Sequence, residues 1–224
     1  MIEIEPAAST QRHPLSHPVI LASGSPRRKE LLGSLGLDFQ TIVPNVDEDG
    51  FHLEHLPPAE VVKFLARTKA QEVAKHHHQA YVIGSDTLVV INHEIFGKPK
   101  TKDDAFRMLK ALQGNAHQVY TGIAIFSPDN LSGNRQNNLQ DIQPFACEAL
   151  CTTVYMRALS DAEIHAYIAT GEPMDKAGAY AIQGYGSTLI ERIDGCYFNV
   201  VGMSLYLLDR LFAQFGQKLL PTSL

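Results

Sequence analysis

The sequence predicts an α/β protein: a mixed twisted sheet flanked by helices, divided into two lobes around a cleft. Short apolar runs of strand type alternate with amphipathic runs of helical period, and no segment repeats. The middle strand-like runs are long, which suggests a sheet shared by two lobes. At 224 residues and 45% apolar composition, the chain can bury one large core. Residues 1–18 read as a flexible leader, and 19–224 as a single two-lobed domain with an exposed loop near 127–143.

The elements follow in order. "HPVILAS" is a buried strand leading into "GSPRRKELLGSLG", where Ser25 takes the N-cap, Pro26 takes N1, and the helix ends near Gly33 or Gly36. "FQTIVP" is a second strand, running into the acidic turn "NVDEDG". "PPAEVVKFLARTKAQEVAKH" is a helix opened by proline, and "AYVIGSDTLVVINHEIFGKP" reads as two strands around a polar interruption and a turn. In "TKDDAFRMLKALQG" Thr101 caps a helix whose first turn carries Asp103 and Asp104, where negative charge suits the helix dipole.

"HQVYTGIAIFS" returns to strand, and "FACEALCTTVYMRALS" is a long strand beyond the polar loop. Cys147 and Cys151 have the same parity in that run and so share one sheet face. "DAEIHAYIATGEP" is a short helix with Ser160 and Glu163 at capping-box spacing. "AYAIQGYGSTLIERIDGCYFNVVGMSLYLLDRLFAQFG" reads as strands separated by "IDG", then an amphipathic helix.

Composition excludes several classes. A net charge of -5 argues against a surface built to wrap nucleic acid, so any bound phosphate is small and local. Three cysteines without close CxxC spacing support neither a disulfide framework nor a sulfur-ligated zinc site. The N-terminus has no basic start followed by an apolar core, and no uncharged apolar run approaches about 18 residues. The cytoplasm is therefore the expected location, with no membrane partner.

Arg27 and Arg28 fall at N2 and N3 of the first helix, where positive charge opposes the dipole by roughly 0.3–1 kcal/mol each. An anion docked there removes the conflict, and Ser23, Ser25 and the free first-turn N–H groups add donors. The alternative is two surface arginines tolerated by a capped helix. The GxxxxGK[ST] spacing of a P-loop is absent, so an ATPase or kinase reading has no basis.

In the helix after Pro58, Val62, Leu65, Ala66 and Val73 make an apolar face, and Lys69 lies on it. An ammonium there needs an anionic partner or a wet cleft, unless it snorkels at the helix edge. Arg67 points elsewhere and calls for no such explanation. Asp86 directly follows an apolar strand, where a carboxylate must pair, bind a cation or cap the next turn. Glu48 in the acidic turn is a second ligand or charge partner, and Lys98 in "FGKPK" a further cation. Such a set suits polyphosphate held with Mg²⁺, a carboxylate orienting or deprotonating water. His76, His77 and His78 are contiguous at a polar helix end and point in different directions, which suits an exposed terminus better than a metal site.

The segments "LASGSPRRKELL", "LARTKA", "GSDTLVV", "GKP", "HQVYTG", "DKAGAYAIQG" and "NVVG" occur in the order found in the Maf family of nucleoside triphosphate pyrophosphatases, which the chain closely resembles over roughly residues 19 to 210. The resemblance implies a homodimer, related in fold to inosine triphosphate pyrophosphatases, with a nucleotide in the interlobe cleft. It implies cleavage between the α and β phosphates, releasing nucleoside monophosphate and pyrophosphate, with a divalent metal, Mg²⁺ or Mn²⁺.

Carried over by motif, Ser23, Arg27, Arg28, Lys69 and Lys98 grip the triphosphate, Lys69 and Lys98 also serving catalysis. Glu48 and Asp86 serve the metal and water, with Asp86 the favoured base. Arg27 within "SPRR", Thr87 and Gln183 match the group acting on dTTP and UTP, whose sister group acts on 7-methyl-GTP. A Gln amide both donates and accepts, as a pyrimidine edge requires. Gly178 and Ala179 shape a close-approach loop, and Lys176 faces either phosphate or the surface. The chain departs from many relatives at "NVVGMS" and in its longer loop at 127 to 143. A nucleotide-binding regulator, including one linked to septum formation, is the reading from a different class.

Overall fold

A computed structural model describes residues 15–48, 50–53, 55–128 and 145–220. The expected leader up to residue 14 and the expected loop from residue 129 onward lie outside the described residues, whereas Leu15 already packs against the core.

Seven strands form one mixed sheet: β1 (Val19–Ala22), β2 (Phe39–Thr41), β3 (Tyr81–Ile91), β4 (Glu94–Phe96), β5 (Ala116–Phe126), β6 (Phe145–Met156) and β7 (Ile190–Asp194), in the order β2-β1-β3-β5-β6-β7 with β4 beside β3. β2, β1 and β3 run parallel, as a β-α-β-α-β chain with helical crossovers must. The remaining pairs are antiparallel.

Helix α2 (Pro58–Ala74) covers the face carrying Val82, Gly84, Asp86 and Leu88. On the other face, α1 (Pro26–Gly33), α5 (Tyr197–Val201) and α6 (Leu205–Ala213) lie at one end of the long strands; α3 (Lys102–Leu112) and α4 (Asp161–Ala169) lie at the other. β3 therefore contributes Tyr81 and Ile83 to one core and Val89 and Ile91 to another, with the polar Ser85 and Thr87 between them on the same face. This is the two-lobed arrangement expected from the long strands.

The local chemistry of several elements is as expected. Thr101 accepts a hydrogen bond from Asp104 N–H at 3.0 Å, and Ser160 with Glu163 closes a reciprocal capping box. Ser25 does sit at the N-cap of α1, but its side chain makes no capping bond. Cys147 and Cys151 share one face of β6, Cys147 Sγ donating to Lys63 C=O of α2.

Two expectations are corrected. β3 runs unbroken through Ser85, Asp86 and Thr87, so Asp86 sits within the strand rather than after it. "AYAIQG" is not strand: Tyr180 to Gln183 lie among three 3₁₀ turns, Glu172–Asp175, Ala177–Ala179 and Gly184–Leu189, with Gly178 and Gly184 at φ +70° and +65°. "YFNVV" after "IDG" is likewise the short helix α5. Its buried Asn199 side chain donates to Val119 C=O at 3.0 Å, a tertiary bond that outweighs the strand preference of its valines.

Candidate active site

The cavity begins at a gap in the sheet edge. β1 pairs with β3 as far as Ala22 opposite Gly84, and β4 rejoins that edge only at Val89 opposite Phe96. β5 fills the other edge from Val82 to Val90. Among the described residues, 85 to 88 therefore have no strand neighbour on the β1 side, and a cavity of about 790 Å³ opens there, lined from both sheet faces. Its size is that of a small-molecule site.

On the α2 face the sheet is pared down to glycine. A Cβ on Gly84 would lie 2.2 Å from Ala66 O, and one on Gly122, opposite Asp86, would lie 2.3 Å from Val62 O. α2 can thus press directly onto β3 and β5. The close approach delivers Lys69 Nζ to 2.6 Å from Asp86 Oδ1, and Glu48 Oε1 reaches the same ammonium at 2.8 Å. Lys69 is the inward-facing cation expected from the helix pattern, and its partners are the two expected carboxylates. Burial pushes the Asp86 carboxyl above its ordinary pKa, while Lys69 and Arg28 pull in the opposite direction. A carboxylate biased toward holding a proton, yet steered by two cations, suits a general base.

On the other face Arg28 is the organising group. Its Nε donates to Gly202 C=O at 2.9 Å and its Nη2 to Thr87 Oγ1 at 3.0 Å, while Nη1 reaches Ser23 Oγ at 3.5 Å. Thr87 and Thr121 hydroxyls lie 2.9 Å apart; since Thr121 donates to Asn199 C=O at 2.8 Å, Thr87 is the donor between them. Ser85 Oγ also donates to Gly202 C=O, at 3.0 Å. The guanidinium plane is thereby fixed before any ligand arrives. Burial pulls Arg28 down from its ordinary pKa, with Asp86 opposing, but an arginine remains charged throughout the physiological range.

The opposite wall comes from the "GKP" turn and the 3₁₀ segment. Gly178 N–H donates to Gly97 C=O at 3.0 Å, tying the two together. A Cβ on Gly178 would lie 2.9 Å from Val89, which bears out the close-approach loop expected there. Arg27 Nη1 reaches across to Asp175 at 3.5 Å, while Lys98 and Gln183 line the cavity with no ion pair or hydrogen bond among the described residues.

All of the expected side chains, Ser23, Arg27, Arg28, Glu48, Lys69, Asp86, Thr87, Lys98 and Gln183, line this single cavity. Lys100 and Lys176 join them, giving six basic residues against Glu48, Asp86 and Asp175. Lys176 faces the cavity rather than only the surface, its Nζ bonded to Glu172 C=O at 2.9 Å. Sequence reading gave no role to Lys100, Asp175 or Tyr180, although Lys100 stands two places after Lys98 and the other two lie within "DKAGAYAIQG". Arg67 points elsewhere, as expected: it is not part of the cavity lining and stacks 4.2 Å over the Phe145 ring, its buried Nε without a hydrogen-bond partner among the described residues.

Among the described residues no group of three or more His, Cys, Asp or Glu is placed to hold a metal. Asp86 and Glu48 nevertheless converge on one cation, Lys69. Two hard carboxylates fit Mg²⁺, which takes one or two protein ligands and completes its octahedron with substrate phosphates and water.

A family model described as Maf-like protein matches residues 18–215. The chain is 45% identical over 202 residues to the dTTP/UTP pyrophosphatase of Dictyoglomus turgidum, covering 90% of this chain and 98% of the relative. It is 48% identical over 204 residues to that of Thermoanaerobacter sp. (strain X514), covering 90% and 99%. It is also 48% identical over 187 residues to that of Geobacillus sp. (strain WCH70), covering 84% and 92%.

Proposed function

The chain belongs to the Maf-like protein family, and from that premise we propose that it is a nucleoside triphosphate pyrophosphatase that hydrolyses dTTP and UTP between the α and β phosphates. The products are nucleoside monophosphate and pyrophosphate. The observation that carries the reading is Asp86, buried within β3 and held by Lys69, in a cavity lined by five further basic side chains.

In this reading Arg27, Arg28, Lys98 and Ser23, with the N-terminus of α1, take the phosphate oxygens. Asp86 orients the attacking water and accepts its proton, while Lys69 holds the carboxylate in place. Glu48 and Asp86 would hold Mg²⁺, with Mn²⁺ able to substitute; when bound, the metal neutralises phosphate charge and lowers the pKa of coordinated water. Gln183 and Thr87 match the pattern of the pyrimidine group, Gln183 offering its amide to the base and Thr87 holding the phosphate-binding Arg28. A cytoplasmic homodimer completes the proposal, the dimer resting on the family resemblance. No helix among the described residues is long and apolar enough to cross a membrane.

The test is a Mg²⁺-dependent assay of the purified chain on dTTP, UTP, CTP, 7-methyl-GTP and inosine triphosphate, separating monophosphate plus pyrophosphate from diphosphate plus phosphate. Pyrophosphate from dTTP and UTP is expected. Dominant 7-methyl-GTP hydrolysis would overturn the substrate, and tight binding without turnover would leave a nucleotide-binding regulator.

A further inference from the structure

Gln183 lines the cavity, but the residues that fix its position do not. Tyr167, on α4, is 5% exposed, and Glu172 follows in the next turn; neither lines the cavity. The Tyr167 hydroxyl accepts from Ala181 N–H at 3.1 Å and donates to Glu172 Oε1 at 2.8 Å. Glu172 Oε1 also accepts from Gly186 N–H at 2.9 Å, and Oε2 accepts from Tyr185 N–H at 3.0 Å. Backbone donors on both sides of Gln183 thus converge on one Tyr–Glu pair.

The sequence leaves room for this clamp. A Cβ on Gly184 would lie 2.4 Å from Glu172 Oε2, and one on Gly186 would lie 2.6 Å from the Tyr167 hydroxyl and 2.2 Å from Ala181 O. Burial pushes the Glu172 carboxyl up, but the bonds from Gly186, Tyr167 and Tyr185 outweigh it and hold the group below the usual carboxylate range. Gln183 itself is extended, at φ −110° and ψ 170°, with no side-chain tether among the described residues. Its aim depends on the backbone that carries it.

We infer that Tyr167 and Glu172 are a positioning pair for base discrimination: they hold residues 181–186 so that the Gln183 amide meets the base edge. They act on which triphosphate is accepted and not on bond cleavage. The inference rests on the reading above, that Gln183 reads the base. A preset polar group discriminates between substrates because a mismatched edge leaves it unpaired, and a loosened one gives up that advantage.

UTP and CTP share sugar and phosphates and differ at the 4-position of the base, so their kcat/KM ratio isolates the base term. In the full chain with Mg²⁺, Tyr167→Phe should lower the UTP over CTP ratio by about tenfold through KM, with kcat for UTP within about twofold. Glu172→Gln, which turns an amide NH₂ toward a backbone N–H, should do the same. Gln183→Ala should abolish the ratio, and adding Tyr167→Phe to it should lower the ratio no further. If Gln183→Ala keeps the wild-type ratio, the base-reading premise fails and takes the inference with it. If Gln183→Ala loses the ratio while Tyr167→Phe and Glu172→Gln keep it, the positioning role alone is wrong. A further loss in the double variant, or an equal fall in kcat for both substrates, would mark the pair as merely structural and overturn it too.

Discussion

Asp86 and Thr87 are consecutive in β3 and point to opposite faces of the sheet, yet both line the same cavity. The missing neighbour along residues 85 to 88 makes this possible, because the cavity wraps the bare edge of the strand. Asp86 meets Lys69 of α2 on one side, and Thr87 meets Arg28 of α1 on the other. One peptide step therefore joins the proposed water-activating group to the phosphate grip, and the two can be separated by mutation.

Asp86→Asn removes the base while keeping its shape. Lys69 retains Glu48 as a partner at 2.8 Å, so the fold should persist. Turnover of dTTP should fall by about 10²–10⁴-fold, the usual contribution of a general base. Unchanged turnover, measured as pyrophosphate release, would sink the assignment.

Thr87→Val keeps volume but deprives Arg28 Nη2 and Thr121 Oγ1 of their shared partner. A hydrogen bond to a charged group contributes about 1.5–3 kcal/mol, so kcat/KM should drop by about tenfold or more. Thr87→Ser should restore most of it. Equal behaviour of the Val and Ser variants in steady-state kinetics would show that the hydroxyl does not orient Arg28.

The opening motif was legible because it is contiguous: cap, proline, arginines and serines lie within one turn of each other. The partners that fix Arg28 were not, since Gly202 comes 174 residues later in the chain. Asp86 was misplaced for a physical reason. "SDT" reads as a break in an apolar run, but Asp86 remains paired with Gly122 across the β5 edge, and Lys69 compensates its charge. "AYAIQG" alternates like a strand, while the side chains that bend it, Tyr167 and Glu172, lie in an earlier helix and turn. Local pattern cannot report a constraint imposed from another element.

His117 gives a pH dependence with a definite sign. Its Nε2 lies 2.7 Å from the buried Tyr180 hydroxyl, and burial lowers its pKa from 6.5 to about 4. Above pH 6.5 it is neutral in both folded and unfolded chains. As the pH falls toward 4, the unfolded chain takes up the proton first, so stability is lost across that window, by roughly 3 kcal/mol in all. Denaturant unfolding of wild type and His117→Gln from pH 7 to pH 4 should show the wild type losing this much more. Parallel curves would mean that His117 titrates normally in the fold.

Gly122→Ala tests whether the close approach of α2 serves the site or only the core. The added Cβ would lie 2.3 Å from Val62 O, and backbone cannot rotate away as a side chain can. Overpacking of this kind costs about 1–3 kcal/mol, and in a chain of this size Tm should fall by roughly 3–10 °C. The relief is for α2 to lift from the sheet, which carries Lys69 away from its 2.6 Å contact with Asp86. Activity should therefore fall by at least about tenfold at temperatures where the variant is still fully folded, because a small displacement of a catalytic group is costly. Gly33→Ala is the control: its Cβ meets nothing within 4 Å among the described residues at the end of α1, and both Tm and activity should hold. If Gly122→Ala loses stability while dTTP turnover in the folded enzyme is unchanged, the glycine serves packing alone, and Lys69 reaches Asp86 through the freedom of its own side chain.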